Sequence, residues 1–412
     1  MEPRWHAVLT LTGTALIAAA IWPAAGGAQA TTALYVSTAR EASDGYSCTQ
    51  ARTLSTPKRT LQSALGCVTA GATVYLRGGI YVETLDDGPH DFSGTSWANA
   101  TKIAAYNGEP VTLKAPIGAN FAVQLGRRSY VVVERITVDG AGVVYDAVKL
   151  NGTSHHIRFQ NGAIYNGTRQ GVNIQDSAYG HELVNMNIDG NGSSAMDHGV
   201  YIATRDNLID GSRIHGSSGY GVHVYNEGCA CANGNVVRNN RIYANGLRAQ
   251  GYGLVLGSGT ANLAYNNLIY GNRGGVQVAH GVPNGTRVLN NTIYDSGSWG
   301  GLIVQAEAVA TQVKNNIIYR SQGEALANSG SGTELTSNLV GVDPQFVDTA
   351  SGDFSVRAGS AAVDRGVTVA EVGTDFNRAR RPTGAAYDIG AFEFGSVALP
   401  GAPANLRILV PE

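Results

Sequence analysis

From about residue 130 onward, short runs of alternating apolar and polar residues recur at a fixed spacing. One phrase, Asn-Asn-x-Ile-Tyr, places its central aliphatic residue at Val138, Ile164, Ile188, Ile214, Ile242, Ile269, Ile293 and Ile318, 24 to 28 residues apart. A second, Gly-Val-x-Val, centres on Val148, Val172, Val200, Val222, Leu254, Val276 and Leu302, seven to twelve residues after each copy of the first. Strict alternation over so few residues predicts short strands, at least two in each unit. A period near 25 with strands and no helical periodicity predicts a coiled solenoid, and the L-x-x-L-x-L phrase of leucine-rich repeats is absent. The asparagines ahead of the aliphatic residue, Asn240, Asn267, Asn291, Asn316 and Asn338, are expected to stack at one corner of successive coils. Asparagine also tolerates the left-handed turn that a corner needs.

Before the repeats, Thr56-Pro57 opens a segment in which Leu61 and Leu65 have helical spacing, with threonine as N-cap and proline in the first turn. A strand follows from Val74 and ends at the Gly78-Gly79 turn before Ile80-Tyr81. A solenoid exposes raw edges at its first and last coils, so the helix reads as an end cap. The reading divides the chain into 1–30, 31–128 (cap and first coils), 129–340 (regular repeats), 341–396 (closing segment) and 397–412 (a tail with linker composition).

The segment from the helix to Val74–Tyr81 resembles the start of exported right-handed parallel β-helix proteins of the pectin-lyase-like superfamily. The runs from Asp343-Pro344-Gln345-Phe346 to Asp388-Ile389-Gly390-Ala391-Phe392-Glu393 are similar to the terminal segment of many of them. The resemblance spans roughly 34–394. It implies an all-β, single-stranded right-handed parallel β-helix with a short N-terminal capping helix. It is specific for architecture and weak for activity, because one fold hosts lyases, hydrolases, epimerases, esterases and non-catalytic proteins.

Composition agrees with a solenoid: 43% hydrophobic residues and 54 glycines, but only three methionines and eight phenylalanines. A net charge of −2 with interspersed signs offers no polycationic face for nucleic acid. Arg4, the apolar run from Val8 to Ile21 and Ala28-Gln29-Ala30 read as a secretory signal, so the mature chain is expected outside the cytoplasm, secreted or at the cell surface, with no integral membrane segment. Four cysteines fit two disulfides there, although sequence alone allows three pairings. Cys48 with Cys67 would staple the helix, and Cys229 with Cys231 would close a tight loop.

Candidate chemistry follows from the Gly-Val-x-Val strands, whose two aliphatic residues point inward and leave x facing out. Through the coils x reads Lys149, Asn173, Tyr201, His223, Val255, Gln277 and Ile303. The polar types are concentrated on the first four coils, flanked there by Asp146, Gln175, Asp197, His198 and Tyr225. The superfamily's lyases and epimerases remove the proton beside a uronate carboxylate. This requires a base, a donor or cation at the carboxylate and an acid for the leaving oxygen. His198 or Lys149 could be the base, Tyr201 the acid, and Asn173, Gln175 or His223 the donors, with Asp146, Asp197 and Tyr225 contributing to substrate binding. The Asp197-His198 pair is reminiscent of the Asp-Pro-His neighbourhood of mannuronan epimerases and their lyase relatives, without the proline. No cofactor is expected; calcium stays open, because Asp146, Asp176 and Asp197 are spread over three coils. The tyrosines after the first phrase, Tyr165, Tyr243, Tyr270, Tyr294 and Tyr319, form a second outward column, either a carbohydrate track or a packed surface. The sequence therefore points to a secreted, monomeric protein whose partner is a polysaccharide, a lyase or epimerase of an acidic glycan. The alternative is a non-catalytic extracellular β-helix that binds surface carbohydrate or protein.

Overall fold

A computed structural model of the chain describes residues 32–226, 228–246 and 251–396. The N-terminal leader and the tail of the sequence reading lie outside the described residues. What is described is a right-handed parallel β-solenoid of about ten turns, built from three parallel sheets of twelve, eleven and ten strands. Each regular coil contributes one strand to each sheet, as in His155–Gln160, Ala163–Tyr165 and Val172–Ile174. The Asn-Asn-x-Ile-Tyr phrase builds the eleven-stranded sheet and the Gly-Val-x-Val phrase the ten-stranded one. The third strand, for example Val236–Arg238, runs straight into the asparagine pair.

Inward aliphatic residues from all three sheets fill the interior, so Ile164, Val172 and Leu183 are fully buried. At the corner between the twelve- and eleven-stranded sheets, the two asparagines divide the work. The first of each pair, Asn239, Asn266, Asn290 and Asn315, adopts the left-handed conformation that turns the chain, at φ of 51° to 56°. The second builds the ladder: Asn240 Nδ2 donates to Asn267 Oδ1 (3.0 Å), Asn267 to Asn291 (2.9 Å), Asn291 to Asn316 (3.0 Å) and Asn316 to Asn338 (3.0 Å). A buried amide is costly unless paired, and here each satisfies the next.

The glycines entering the ten-stranded sheet have a backbone reason. A Cβ on Gly171, Gly199 or Gly221 would stand 2.6 to 2.7 Å from the carbonyl oxygen of the corresponding glycine one coil on. Only glycine permits that approach.

The capping helix is shorter than expected. It spans Leu61–Leu65, and its N-cap is Thr60, whose side chain accepts from Ser63 N–H, rather than Thr56. Lys58 instead bridges in parallel to Val36, which leaves Pro57 outside the helix. Leu61, Ala64 and Leu65 are buried in the main core, and the Cys48–Cys67 disulfide ties the segment down. Cys229 and Cys231 are also joined.

After the last coil, the chain turns back along the outside of the solenoid. An antiparallel hairpin, Phe346–Asp348 with Asp353–Val356, lays Phe354 against Tyr270 and Tyr294, at ring-centroid distances of 4.8 and 5.4 Å. Val369, Val372 and Tyr387 pack on Leu263, Tyr265 and Leu289, and Arg378 Nη2 lies 2.7 Å from Asp210 Oδ1. A fully buried pair, Arg381 with Glu393 at 2.6 Å, pins the end of this segment. Most of the tyrosine column is thereby packing surface: Tyr243 stacks on His215 and Tyr270, and Phe354 covers Tyr270. Among the described residues no helix is long and apolar enough to cross a membrane.

Candidate functional site

Strand register on the ten-stranded sheet aligns Lys149, Asn173, Tyr201, His223, Val255, Gln277 and Ile303 as direct neighbours across successive coils. The alternation of the pattern is thus kept without a slip through seven coils. Asp146, Gln170, His198 and Tyr220, each two residues before the first aliphatic residue of its strand, run alongside.

These side chains are linked diagonally from coil to coil. Asn173 Nδ2 donates to Asp146 Oδ2 (2.9 Å), and Gln170 N–H donates to the other Asp146 oxygen (3.0 Å). Lys149 Nζ donates to Gln175 Oε1 at 2.5 Å. Gln170 Oε1 accepts from His198 N–H, and His198 Nδ1 accepts from Tyr220 N–H (3.0 Å). That last bond fixes the tautomer: the proton sits on His198 Nε2, which donates to His223 Nδ1 at 3.1 Å. His223 therefore carries its proton on Nε2, a buried atom with no hydrogen-bond partner among the described residues. The buried amide oxygens Asn173 Oδ1 and Gln277 Oε1 are likewise unpartnered, on the same column. Buried polar atoms are seldom left unpaired, so three on one sheet face mark a place for water or ligand.

Rings enclose the relay. Tyr220 stacks on His198 at 4.7 Å and Tyr225 on His223 at 5.2 Å, while Tyr201 meets His223 edge-on at 5.3 Å. Burial lowers the pKa of His198 to about 4, and places that of His223 well below the ordinary range, so both rings are neutral near pH 7. Burial also pulls the Lys149 ammonium down, against the opposing charges of Asp146 and Asp176. The carboxyl of Asp146 is raised by burial, an effect partly offset by its two hydrogen bonds.

The column thus gathers Lys149, Asn173, Gln175, Tyr201, His198, His223, Tyr225 and Asp146 on one face. Asp197 is engaged elsewhere: its Oδ2 accepts from Ser193 N–H (3.0 Å) and Ser194 N–H (2.7 Å), holding the 193–197 loop. Asp176, exposed, accepts from Gly152 N–H. Sequence reasoning passed over Arg169, an exposed guanidinium 4.7 Å from the Tyr145 ring whose charge reaches Asp146. Phe121, Tyr145 and Arg169 form a ladder over three coils beside the column. The available signal was a cation adjoining Gln170 in sequence. Farther along, Tyr252 packs with Tyr220 and Val255, and Trp299 and Ile303 join them, so the apolar end of the column is covered by aromatic rings. Two surface clefts, of about 360 and 430 Å³, lie where the C-terminal segment meets the coils, away from this face. The buried relay, with one unpaired donor and two unpaired acceptors, lies on the polar column rather than in these clefts.

The family model described as "Right handed beta helix region" matches residues 180–340. Among solved structures, the chain is similar to pectate lyase Pel9A, with a TM-score of 0.70 at 18% identity over 88% of this chain and 96% of that one. It is also similar to a rhamnogalacturonan lyase, with a TM-score of 0.57 at 14% identity over 77% of this chain and 91% of that one. At such identities the likeness establishes the parallel β-helix fold alone. Comparison with curated proteins returns no match.

Proposed function

We propose that the protein is a polysaccharide lyase or epimerase of a uronate-containing glycan, and that the polar face of the ten-stranded sheet is its active surface. The observation that carries this reading is the His198–His223 relay, which leaves a neutral, buried Nε2–H on His223 next to Tyr201 and two coils from the unpaired Asn173 oxygen. A desolvated donor of this kind stabilises charge that develops on a carboxylate as its neighbouring carbon loses a proton.

Lys149 is the base in this account. Its ammonium is half-buried, and burial lowers its pKa from the ordinary lysine value, which favours the free amine that a base requires. The amine takes the proton from the carbon beside the carboxylate. In the lyase direction, the electron pair left behind forms a carbon–carbon double bond and expels the glycosidic oxygen, which the Tyr201 phenol protonates. In the epimerase direction, the Tyr201 phenol gives its proton to the same carbon from the opposite face, and Lys149 keeps the one it removed. Both ring nitrogens of His198 are used within the protein, which makes it a positioning residue for His223 rather than the proton acceptor. Arg169 supplies a cation at the edge of the face, and Gln175 and Tyr225 border the sugar. The reaction needs no cofactor in this account, and none of its steps passes through calcium.

The test is appearance of the ultraviolet absorbance of an unsaturated uronate when the exported form meets alginate, pectate, hyaluronan or chondroitin, with Lys149→Ala and Tyr201→Phe as controls. One observation favours the second reading, a non-catalytic binding protein at the cell surface. His198 and His223 are only 2% and 6% exposed, so the relay is reached through neighbouring groups rather than an open pocket. Under that reading, oligosaccharides bind the face and remain unchanged in mass and configuration.

A further inference from the structure

The tyrosine column of the eleven-stranded sheet ends differently from how it begins. Tyr243 and Tyr270 are packed under His215 and Phe354, whereas Tyr319, the last ring, is half-buried against the Leu339 and Val356 cluster, with Tyr294 as its ring neighbour at 6.3 Å. Here the C-terminal hairpin and the last coils border an open cleft of about 430 Å³. Phe346, edge-on to Tyr294 at 5.7 Å, forms one wall. Arg320 and Arg357 reach it from opposite sides, one from the last regular coil and one from beyond the hairpin. Arg320 Nη1 donates to Tyr294 OH (3.2 Å) and Arg357 Nη2 to Val347 O (2.6 Å), but neither guanidinium forms an ion pair with a carboxylate among the described residues. Asp343 and Gln345 complete the polar rim, and the Asp348 carboxylate lies close enough to Arg357 for their charges to interact.

We propose that this cleft is a second saccharide site, separate from the ten-stranded face, and that it takes a carboxylated sugar. The rings of Tyr319 and Phe346 offer apolar surface to the C–H face of a pyranose. The two guanidiniums supply the planar, charge-assisted donors that a carboxylate accepts. Two guanidiniums that form no ion pair at contact distance favour a carboxylated sugar over a neutral one. Such a site would hold the polymer to the protein at a distance from the bond undergoing reaction, and it stands whether or not the ten-stranded face is catalytic.

The experiment is titration calorimetry of the full exported chain with trigalacturonate and, in parallel, with neutral maltotriose. Arg320→Glu and Tyr319→Ala are each compared with the parent, and thermal melting verifies that both variants fold. The expected result is a trigalacturonate binding event weakened on the order of tenfold or more in either variant, since a lost hydrogen bond to a charged group has about that worth. That event persists in Lys149→Ala, and Arg320→Glu leaves product formation at the other face unchanged. Equal binding of trigalacturonate by parent and folded variants, or maltotriose binding as tightly as trigalacturonate, would overturn the proposal. Failure to detect either unsaturated product or a change in uronate configuration would count against the reading of the ten-stranded face and leave this event in place.

Discussion

His198 Nε2 and His223 Nδ1 stand 3.1 Å apart on adjacent coils, and the backbone N–H of Tyr220 closes the other side of His198. The pair is therefore a proton-ordered relay that works only while both rings are neutral. Protonating His198 on Nδ1 would cost the bond from Tyr220 and bring an unsolvated charge among aromatic rings.

This sets a pH window for stability. The unfolded chain takes up a proton on His198 near its ordinary value of 6.5, whereas the folded chain resists until about pH 4. His181, fully buried, resists until about pH 3. The unfolded state binds more protons across this interval, so stability falls as the pH drops from about 6.5 toward 4, by roughly 3 kcal/mol for His198 alone. His198→Gln should flatten that slope in thermal unfolding followed from pH 7 to pH 4.5. An unchanged slope would mean that His198 is solvated and charged in the folded protein.

Asp146 sets the proton affinity of Lys149 by holding it up. Asp146→Asn removes that charge and lets the Lys149 pKa fall further, so the rising limb of the kcat/KM profile moves to lower pH. A limb that moves to higher pH, or does not move, would contradict the assignment of Lys149 as base.

Arg169 is predicted to act in binding and charge neutralisation without structural cost, because it is exposed and lies across Tyr145. Arg169→Ala should lower kcat/KM on the order of tenfold, as expected for a lost charge-assisted hydrogen bond, with the melting temperature unchanged. A large loss of stability with intact activity would point to a packing role instead.

The asparagine ladder should be costly to interrupt. Asn267→Ala removes the acceptor for both Asn240 N–H and Asn240 Nδ2, and the donor that reaches Val237 O. Buried groups left without partners cost about 1–3 kcal/mol each, so a loss of roughly 3 kcal/mol is expected in denaturant unfolding. Arg381→Met tests the C-terminal segment in the same way. It strands the Glu393 carboxylate in a buried site, at a cost of about 3–5 kcal/mol, and should expose the 343–396 segment to limited proteolysis before the coils unfold.

The register of the candidate site was legible in the sequence because two periodicities coincide. Alternation over three residues puts Lys149, Asn173, Tyr201 and His223 outward, and the repeat of about 25 stacks them. The glycine ahead of each strand was legible as a small residue, but the approaching carbonyl of the next coil is visible only in three dimensions. The third sheet was hidden because Val237, Ala264, Val288 and Val313 come so close before the asparagine pairs that two strands read as one phrase. The direction of the His198 hydrogen bonds was not legible, since it depends on the backbone N–H of Tyr220 one coil away. The fate of the tyrosine column was equally remote: Phe354 covers Tyr270 only because the chain reverses after its last coil. Asp197 looked like part of the site from its position beside His198, yet its carboxylate is held by the turn that precedes it.

The most direct test of the central claim is the ultraviolet absorbance of the purified chain with each of the four acidic polysaccharides, run beside Lys149→Ala. The account predicts a rising signal, or for an epimerase a changed uronate configuration, with at least one substrate, and neither from the folded Lys149→Ala protein. A rise of equal rate in Lys149→Ala would contradict it, as would an absence of both unsaturated product and change in uronate configuration across the panel.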